Sequence, residues 1–518
     1  MTFFLSPILS LFLVMPKFSH MAFWEASHGP YYHTPDTIEM AAQAWAMAGS
    51  PLTSAQAPRL QESSSGRVTP KPMHAWATAL FLLAVVHTFL TPAVHRLSRW
   101  IDERHQARLG SKLRKDPVAW PNPESITARL LEFAAEVEAV FGIWAIPLFW
   151  VMVYWEGWEA TKRYWTYEVN YTEPLFVVVI MTIASSRPLL RLAEKSLELI
   201  ARFANDSVWG WWFLILTFGP ILGSFLTEPA AMTISSLLLA HKVYELQPKP
   251  ALAYATLGLL FVNVSIGGML TPFAAPPVLM VAHRWNLTLT DMMGKFGYKA
   301  LLAIVVSNFC YALIFAREFA RLECLRKERV LSAQHTHPKP VHPVPSWVTL
   351  VHLCLLGWTI VTSHEAPLFC GAFLLFLAFT EATRHYQAPL SLRRPLMVGF
   401  FLAGLALHGS LQGWWIRPLL EGLDRWTAML TATFLTSFND NALVTFLAAQ
   451  VPNLPEDLKQ AVLAGAVTGG GLTVIANAPN PIGLALLRRF FPDGVSPLGL
   501  LGAAAFPTVV AGACFMLL

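Results

Sequence analysis

The stretch that decides the fold is Phe438-Asn439-Asp440-Asn441-Ala442-Leu443-Val444-Thr445, read against Leu226-Thr227-Glu228-Pro229-Ala230-Ala231-Met232-Thr233 earlier in the chain. An acid and a trailing threonine coincide in the two. Further on, Ser265-Ile266-Gly267-Gly268 sets against Thr468-Gly469-Gly470-Gly471, and Ala274-Ala275-Pro276-Pro277 against Asn477-Ala478-Pro479-Asn480. Blocks agreeing in order mark an internal duplication. Each pairs a carboxylate with helix breakers inside apolar sequence, where freed carbonyls and amides are tolerated only if buried in protein or lining a cavity.

The surroundings are those of a membrane protein. Of 518 residues, 55% are hydrophobic and only 13% charged, too apolar for one soluble core. A hydrocarbon layer about 30 Å thick needs about 20 apolar residues per helix. Simple candidates are Ala75 to His95, Leu130 to Trp155, Pro174 to Leu190 and Gly297 to Phe315, then Trp347 to Thr362, Ala366 to Thr380, Pro395 to Leu411 and Pro497 to Leu518. Complex apolar regions, Trp209 to His283 and Thr427 to Leu487, interrupt each series at the same place. The expected fold is an all-α polytopic membrane protein of two inverted repeats, each with a re-entrant hairpin and a discontinuous helix. Its divisions are a hydrophobic segment and external polar extension over 1–73, a first repeat over 74–316, a basic cytoplasmic linker over 317–345 and a second repeat over 346–518.

Orientation follows from loop basicity. The loops Arg96 to Asp116 and Arg317 to Lys339 are rich in Arg and Lys and are expected in the cytoplasm. The segments Glu156 to Glu173 and Pro452 to Asp457 lean acidic. These signs fit one topology if each complex region returns to its starting side, so that the first half begins outside, the second inside, and the C-terminus ends outside. A bacterial inner membrane is the expected location. Thr2 to Met15 is apolar but short, and reads equally as a signal peptide, an anchor or a mis-assigned start.

A formal charge of +5 spread over several loops gives no nucleic-acid footprint. Five cysteines without a CxxC suggest neither a disulfide framework nor a zinc site. Neither GxSxG nor HExxH occurs, against an intramembrane hydrolase. No cofactor is expected.

The hairpin stretches Phe225-Leu226-Thr227-Glu228-Pro229 and Phe438-Asn439-Asp440-Asn441, with Gly-Gly-Met-Leu-Thr-Pro from Gly267 to Pro272 and its partner Gly469 to Thr473, resemble the ion transporter superfamily. Within it the chain is similar to D-type sodium/proton antiporters, and most to a family of sodium/proton antiporters in that group. The resemblance implies Na⁺/H⁺ exchange by an elevator-like alternating access, and commonly a homodimer. It departs where the first hairpin carries Glu-Pro and the second interrupted helix Asn-Pro-Asn-Pro. An Na⁺-coupled carboxylate or other anion carrier of the same superfamily is the alternative.

Asp440 is the first candidate for ion and proton binding, because an ionisable group at the bilayer centre costs about 2.5 to 3.5 kcal/mol and is retained for a task. Asn439, Asn441 and Thr445 offer neutral oxygens, and Na⁺ is expected at Asp440 and Asn441. Capping of the second hairpin helix is the structural alternative. Glu228, Thr227 and Thr233 form the first-half counterpart, although Glu before Pro also serves a helix start. Ser265, Gly267, Gly268 and Thr271, with Thr468, Gly469, Gly470, Gly471, Thr473, Asn477 and Asn480, line the expected broken-helix site, where the glycines read alternatively as close helix packing. Glu132, Glu136 and Glu138 read as solvated helix-end charges or as a proton entry. His87 and His408 read as packing histidines rather than relays, and His335, His337 and His342 as part of a proline-rich linker rather than a metal site.

Overall fold

A computed structural model describes residues 72–115, 125–201, 207–332, 343–492 and 494–518. The N-terminal segment and extension, and the histidines His335, His337 and His342, lie outside the described residues. Those described form helices and contain no strand. The first series is α1 (Pro72–Lys115), α2 (Ile126–Ala134), α3 (Val137–Glu156), α4 (Trp158–Arg163), α5 (Thr172–Ala184), α6 (Arg187–Ala201), α7 (Val208–Gly223), α8 (Glu228–Lys242), α9 (Pro250–Gly267), α10 (Pro276–Ala282), α11 (Tyr298–Ile314) and α12 (Ala316–Ser332). The second is α13 (Ser346–Val361), α14 (Ala366–Ala382), α15 (Arg393–Gly409), α16 (Gly413–Glu421), α17 (Arg425–Phe438), α18 (Asn441–Ala448), α19 (Glu456–Gly469), α20 (Asn480–Leu487) and α21 (Pro497–Leu517).

Among the described residues five helices are long and apolar enough to cross a membrane, or seven if each of two bent pairs counts as one span. The bends fall at matching places: α5 meets α6 at 65°, and α15 meets α16 at 83°. In α6 the residues Leu189, Ala193 and Leu197 are buried at four-residue spacing while Arg191 and Lys195 face outward. That pattern suits a helix lying along an interface rather than crossing it.

Three differences from the expected spans have local causes. The basic stretch after His95 is no loop: α1 runs on to Lys115, because Arg, Lys, Leu and Gln propagate a helix well once it has begun. Leu130 to Trp155 is not one helix but two, divided at Ala135 and Glu136, where Glu136 leaves helical geometry to become the N-cap of α3. Pro174 to Leu190 also divides. Ser185 and Ser186 end α5, and Pro188, tolerated in a first turn, starts the new direction.

The helices sort into two packed groups. α1, α3, α5, α6, α13, α14 and α15 share one apolar cluster, in which Phe141, Phe176, Phe369 and Phe376 are almost wholly buried and into which Ile234 of α8, Leu279 of α10 and Phe446 of α18 also pack. α7 to α11 and α17 to α21 make the rest, around α9, whose apolar window is 94% buried. Two reciprocal contacts organise this second group: α10 packs on α18, and α8 packs on α20. The short helix after each break thus leans on the second arm of the hairpin from the other series.

One end of the second group is fastened by Glu318 on α12, a residue only 8% exposed. Its carboxylate accepts from the Arg321 guanidinium and from the backbone N–H of Lys249 at 2.9 Å, while Arg321 also donates to the carbonyl of Gln247, at 3.0 Å, in the turn before α9. The Arg321 hydrogen bonds, more than any other influence, hold the Glu318 carboxyl below its ordinary value of 4.5. A carboxylate favoured in this way stabilises the fold above that ordinary value, and the contribution disappears as pH falls through the lower native one. Glu318→Gln is therefore expected to cost about 1 to 2 kcal/mol at neutral pH, allowing for the partial exposure of Arg321. Thermal unfolding in detergent should show the gap between variant and parent shrinking as pH drops below 4.5.

Candidate functional site

The site forms where two hairpin turns meet two interrupted helices. In the first, α7 ends at Gly223 and the chain turns through Ser224 to Thr227, whose hydroxyl caps α8 by accepting from the Ala230 N–H. In the second, α17 ends at Phe438, and Asn439 and Asp440 alone make the turn. Asp440 Oδ1 accepts from the Ala442 N–H at 2.8 Å. Asp440 does cap α18, as one of its two expected roles requires. Glu228, by contrast, is the first residue of α8 and is completely buried.

The interrupted segments wrap these turns. After α9 the chain makes a short 3₁₀ turn, Gly268–Leu270, and is irregular until Pro276 begins α10. After α19 it is irregular from Gly470 until Asn480 begins α20. Ser224 Oγ donates to the Gly267 carbonyl at 2.6 Å and accepts from the Leu270 N–H at 3.0 Å. Thr271 Oγ1 donates back to the Ser224 carbonyl at 2.6 Å. In the second series Thr473 Oγ1 donates to the Ser437 carbonyl at 2.7 Å, and Asn480 Nδ2 donates to the carbonyls of Gly470 and Thr473, each at 2.8 Å. Backbone groups freed by the breaks are thus answered by side chains placed for the purpose.

Two bonds tie the two series together, and a third closes the seam within the second. Asn477 Nδ2 donates to Glu228 Oε2 at 2.9 Å. The Ser265 hydroxyl donates to the Val467 carbonyl at 2.7 Å, and the Asn441 N–H to the Ala476 carbonyl within the second series at 3.1 Å completes the seam. Glu228 and Asp440 lie close enough for their charges to interact. Around them Glu228 Oε1, both amide atoms of Asn441, the Thr468 hydroxyl and the Oδ1 atoms of Asn477 and Asn480 are buried without a hydrogen-bond partner. Native interiors leave few such atoms, and five of these six are oxygens, a set able to ligate a small cation.

The structure brings together Glu228, Asp440, Asn441, Ser265, Thr468, Asn477 and Asn480, with Gly267 and Gly268 and Gly469, Gly470 and Gly471 as the backbone between them. Other expected ligands have their hydroxyls engaged. Thr233 donates to Pro229 O at 2.8 Å, and Thr445 donates to the carbonyls of Asn441 and Ala442 within its own helix. Asn439 is half-buried and donates to Leu435 O at 3.2 Å, while its Oδ1 is buried without a hydrogen-bond partner.

Asp440 borders a small cleft that it shares with Asn439, Thr88 of α1, Val137 and Phe141 of α3 and Phe401 of α15. Glu138, beside Val137, interacts electrostatically with Asp440. Of the three glutamates, Glu132 pairs with Arg129 at 2.8 Å and Glu136 with Arg393 at 2.7 Å, while Glu138 forms no ion pair among the described residues. Ser224 escaped the sequence reading altogether, since one serine before a turn carries no signal until its partners are known. His408 is buried edge-on to Phe141, with ring centroids 6.0 Å apart, and His87 accepts from the Trp144 indole at 3.0 Å; both are packed among aromatic side chains. No group of three or more metal-binding His, Cys, Asp or Glu side chains occurs among the described residues.

Apolar spans, two bent pairs and a buried carboxylate centre define a multi-pass integral membrane transport protein. Residues 72–518 match the family described as "Putative Na+/H+ antiporter", and the chain belongs to that family. It is a transporter of the antiport kind, with sodium and protons as the family's described ions. No curated protein matches it.

Two glycines set the geometry of the centre. A Cβ on Gly268 would stand 2.8 Å from Glu228 Oε1, and one on Gly470 2.2 Å from Ser265 Oγ and 3.0 Å from Asn441 Nδ2. Gly470→Ala is expected to destabilise the protein by about 1 to 3 kcal/mol, since neither neighbour can withdraw from its packed position. Gly371→Ala, which meets nothing within 4 Å, should leave thermal unfolding in detergent unchanged or slightly raised.

Proposed function

We propose that the protein exchanges Na⁺ for H⁺ by alternating access, with Asp440 as the group that binds the two in turn and Glu228 as the second carboxylate of the same centre. The observation that carries this is the convergence of both hairpin turns and both interrupted helices on two carboxylates and a set of unpartnered amide and hydroxyl oxygens. A carboxylate holds a proton or helps to ligate Na⁺, and each excludes the other, so a site that must be filled before it crosses couples the two flows. Half-helix ends aimed at the centre add fixed partial charges for the carboxylates and for the cation.

The proposed architecture is an inverted pair, 74–316 and 346–518, with α7–α8 and α17–α18 as re-entrant hairpins and α9–α10 and α19–α20 as the discontinuous helices. Support comes from the aligned motif blocks, from the bent pairs at matching places and from the reciprocal contacts of α10 with α18 and α8 with α20. Loop basicity puts the end of α1 and all of α12 in the cytoplasm and the C-terminus outside. In that orientation the cleft at Asp440 opens toward the inner face, beside Glu136, Glu138 and Arg393. The second group of helices, which holds the whole centre, would move against the first.

A pH-gradient dequenching assay in proteoliposomes tests the proposal, with Na⁺, Li⁺, K⁺ and a dicarboxylate added in turn. Na⁺ should collapse the gradient. Asp440→Asn should reduce that response at least about a hundredfold, because the amide cannot take up the exchanged proton, and Glu228→Gln should weaken it while leaving the protein folded. Full activity in Asp440→Asn, or a response to the dicarboxylate in place of the cations, would overturn it.

A further inference from the structure

A second polar niche lies at one end of the bundle, away from the carboxylate centre. It is a small niche between the π-helical turn Met292–Gly297 with α11, the first residue of α17, and the helices α19 and α21. Lys295, Lys299, Arg425 and Gln460 supply its polar walls, and no carboxylate lines it. Lys295 is compensated, with Asp291 and Glu456 each at 3.1 Å. The other two cations are not. Lys299 is 7% exposed, and the acceptor that its ammonium reaches is the Phe515 carbonyl at 3.4 Å. Neither Lys299 nor Arg425 forms an ion pair among the described residues, and the two are near enough to repel one another. Asp424, the nearest acid in sequence, is turned to the start of α17, where it accepts from the N–H groups of Trp426 and Thr427 at 3.0 and 3.3 Å.

Two neighbouring cations, one of them buried, are unfavourable without an anion between them. The niche is built to hold one. An ammonium, a guanidinium and an amide present divergent N–H donors around a small volume, which suits a phosphate group with several acceptor oxygens better than a planar carboxylate. Its depth is marked by exposed aromatic side chains, Tyr298 beside Lys299 and Trp426 beside Arg425, which belong at the headgroup level of a bilayer. Leu301, Leu302, Leu430 and Phe434 extend from there as exposed apolar surface on α11 and α17, where acyl chains would lie. We infer that Lys299 and Arg425 bind the phosphate group of an anionic phospholipid headgroup, tying the base of the α17–α18 hairpin to α11 and α21.

The full-length protein in nanodiscs of phosphatidylcholine, with or without phosphatidylglycerol, provides the test, alongside a titration of inorganic phosphate in neutral detergent. Phosphatidylglycerol should raise the unfolding temperature of the parent and remain bound in native mass spectra. Arg425→Gln, on the half-exposed rim, should retain the lipid about tenfold less well, the loss of one charge-assisted contact, and Lys299→Met should lose it further. Protection by inorganic phosphate that disappears in Arg425→Gln, without a lipid effect, keeps the phosphate site and assigns it to a soluble anion. Equal lipid retention and equal stabilisation in the parent and Arg425→Gln overturn the inference. Because Arg425 is remote from Asp440, a failure here leaves the exchange proposal standing.

Discussion

The constraint on which everything else depends is that helices broken inside an apolar bundle must find partners for their exposed backbone. In this protein the partners are short side chains at neighbouring breaks: Ser224 for Gly267, Thr271 for Ser224, Thr473 for Ser437, and Asn480 for Gly470 and Thr473. Each unsatisfied group would cost several kcal/mol in hydrocarbon, so these contacts set the position of both interrupted helices. The carboxylates are held by the same framework. Glu228 takes one bond from Asn477 in the opposite series, and Asp440 caps the helix it begins. Structure and chemistry therefore draw on the same few atoms, and small substitutions at the glycines should disturb both.

The two carboxylates differ in surroundings. Glu228 is sealed between α7, α9 and the segment after α19, with its second oxygen unpartnered. Asp440 is half-buried and borders a cleft walled by aromatic and aliphatic side chains of both helical groups. A group that must accept a proton from one side of a membrane needs such a border, and one that shapes the site does not. Glu138 interacts electrostatically with Asp440 and lies two residues from Glu136, which meets Arg393.

Much of this was legible in the residues. Paired motif blocks with Gly-Gly and proline breaks pointed to the candidate site, because breakers and acids in apolar sequence are costly enough to be conspicuous. Two things were not legible. The bend after Ala184 falls inside one apolar run and that after Gly409 near the end of another, and neither shows in the sequence, since hydropathy records composition and not direction. Glu138 was not separable from Glu132 and Glu136 in the sequence, and only its electrostatic interaction with Asp440 sets it apart from the two that form ion pairs.

The central claim is that one carboxylate centre is shared by proton and cation, and this is tested most directly by measuring Na⁺ binding to the purified protein across a range of pH. Competition predicts that, on the acidic side, the apparent dissociation constant rises about tenfold for each unit fall in pH, because one proton must leave for each Na⁺ bound. A dissociation constant independent of pH would contradict it.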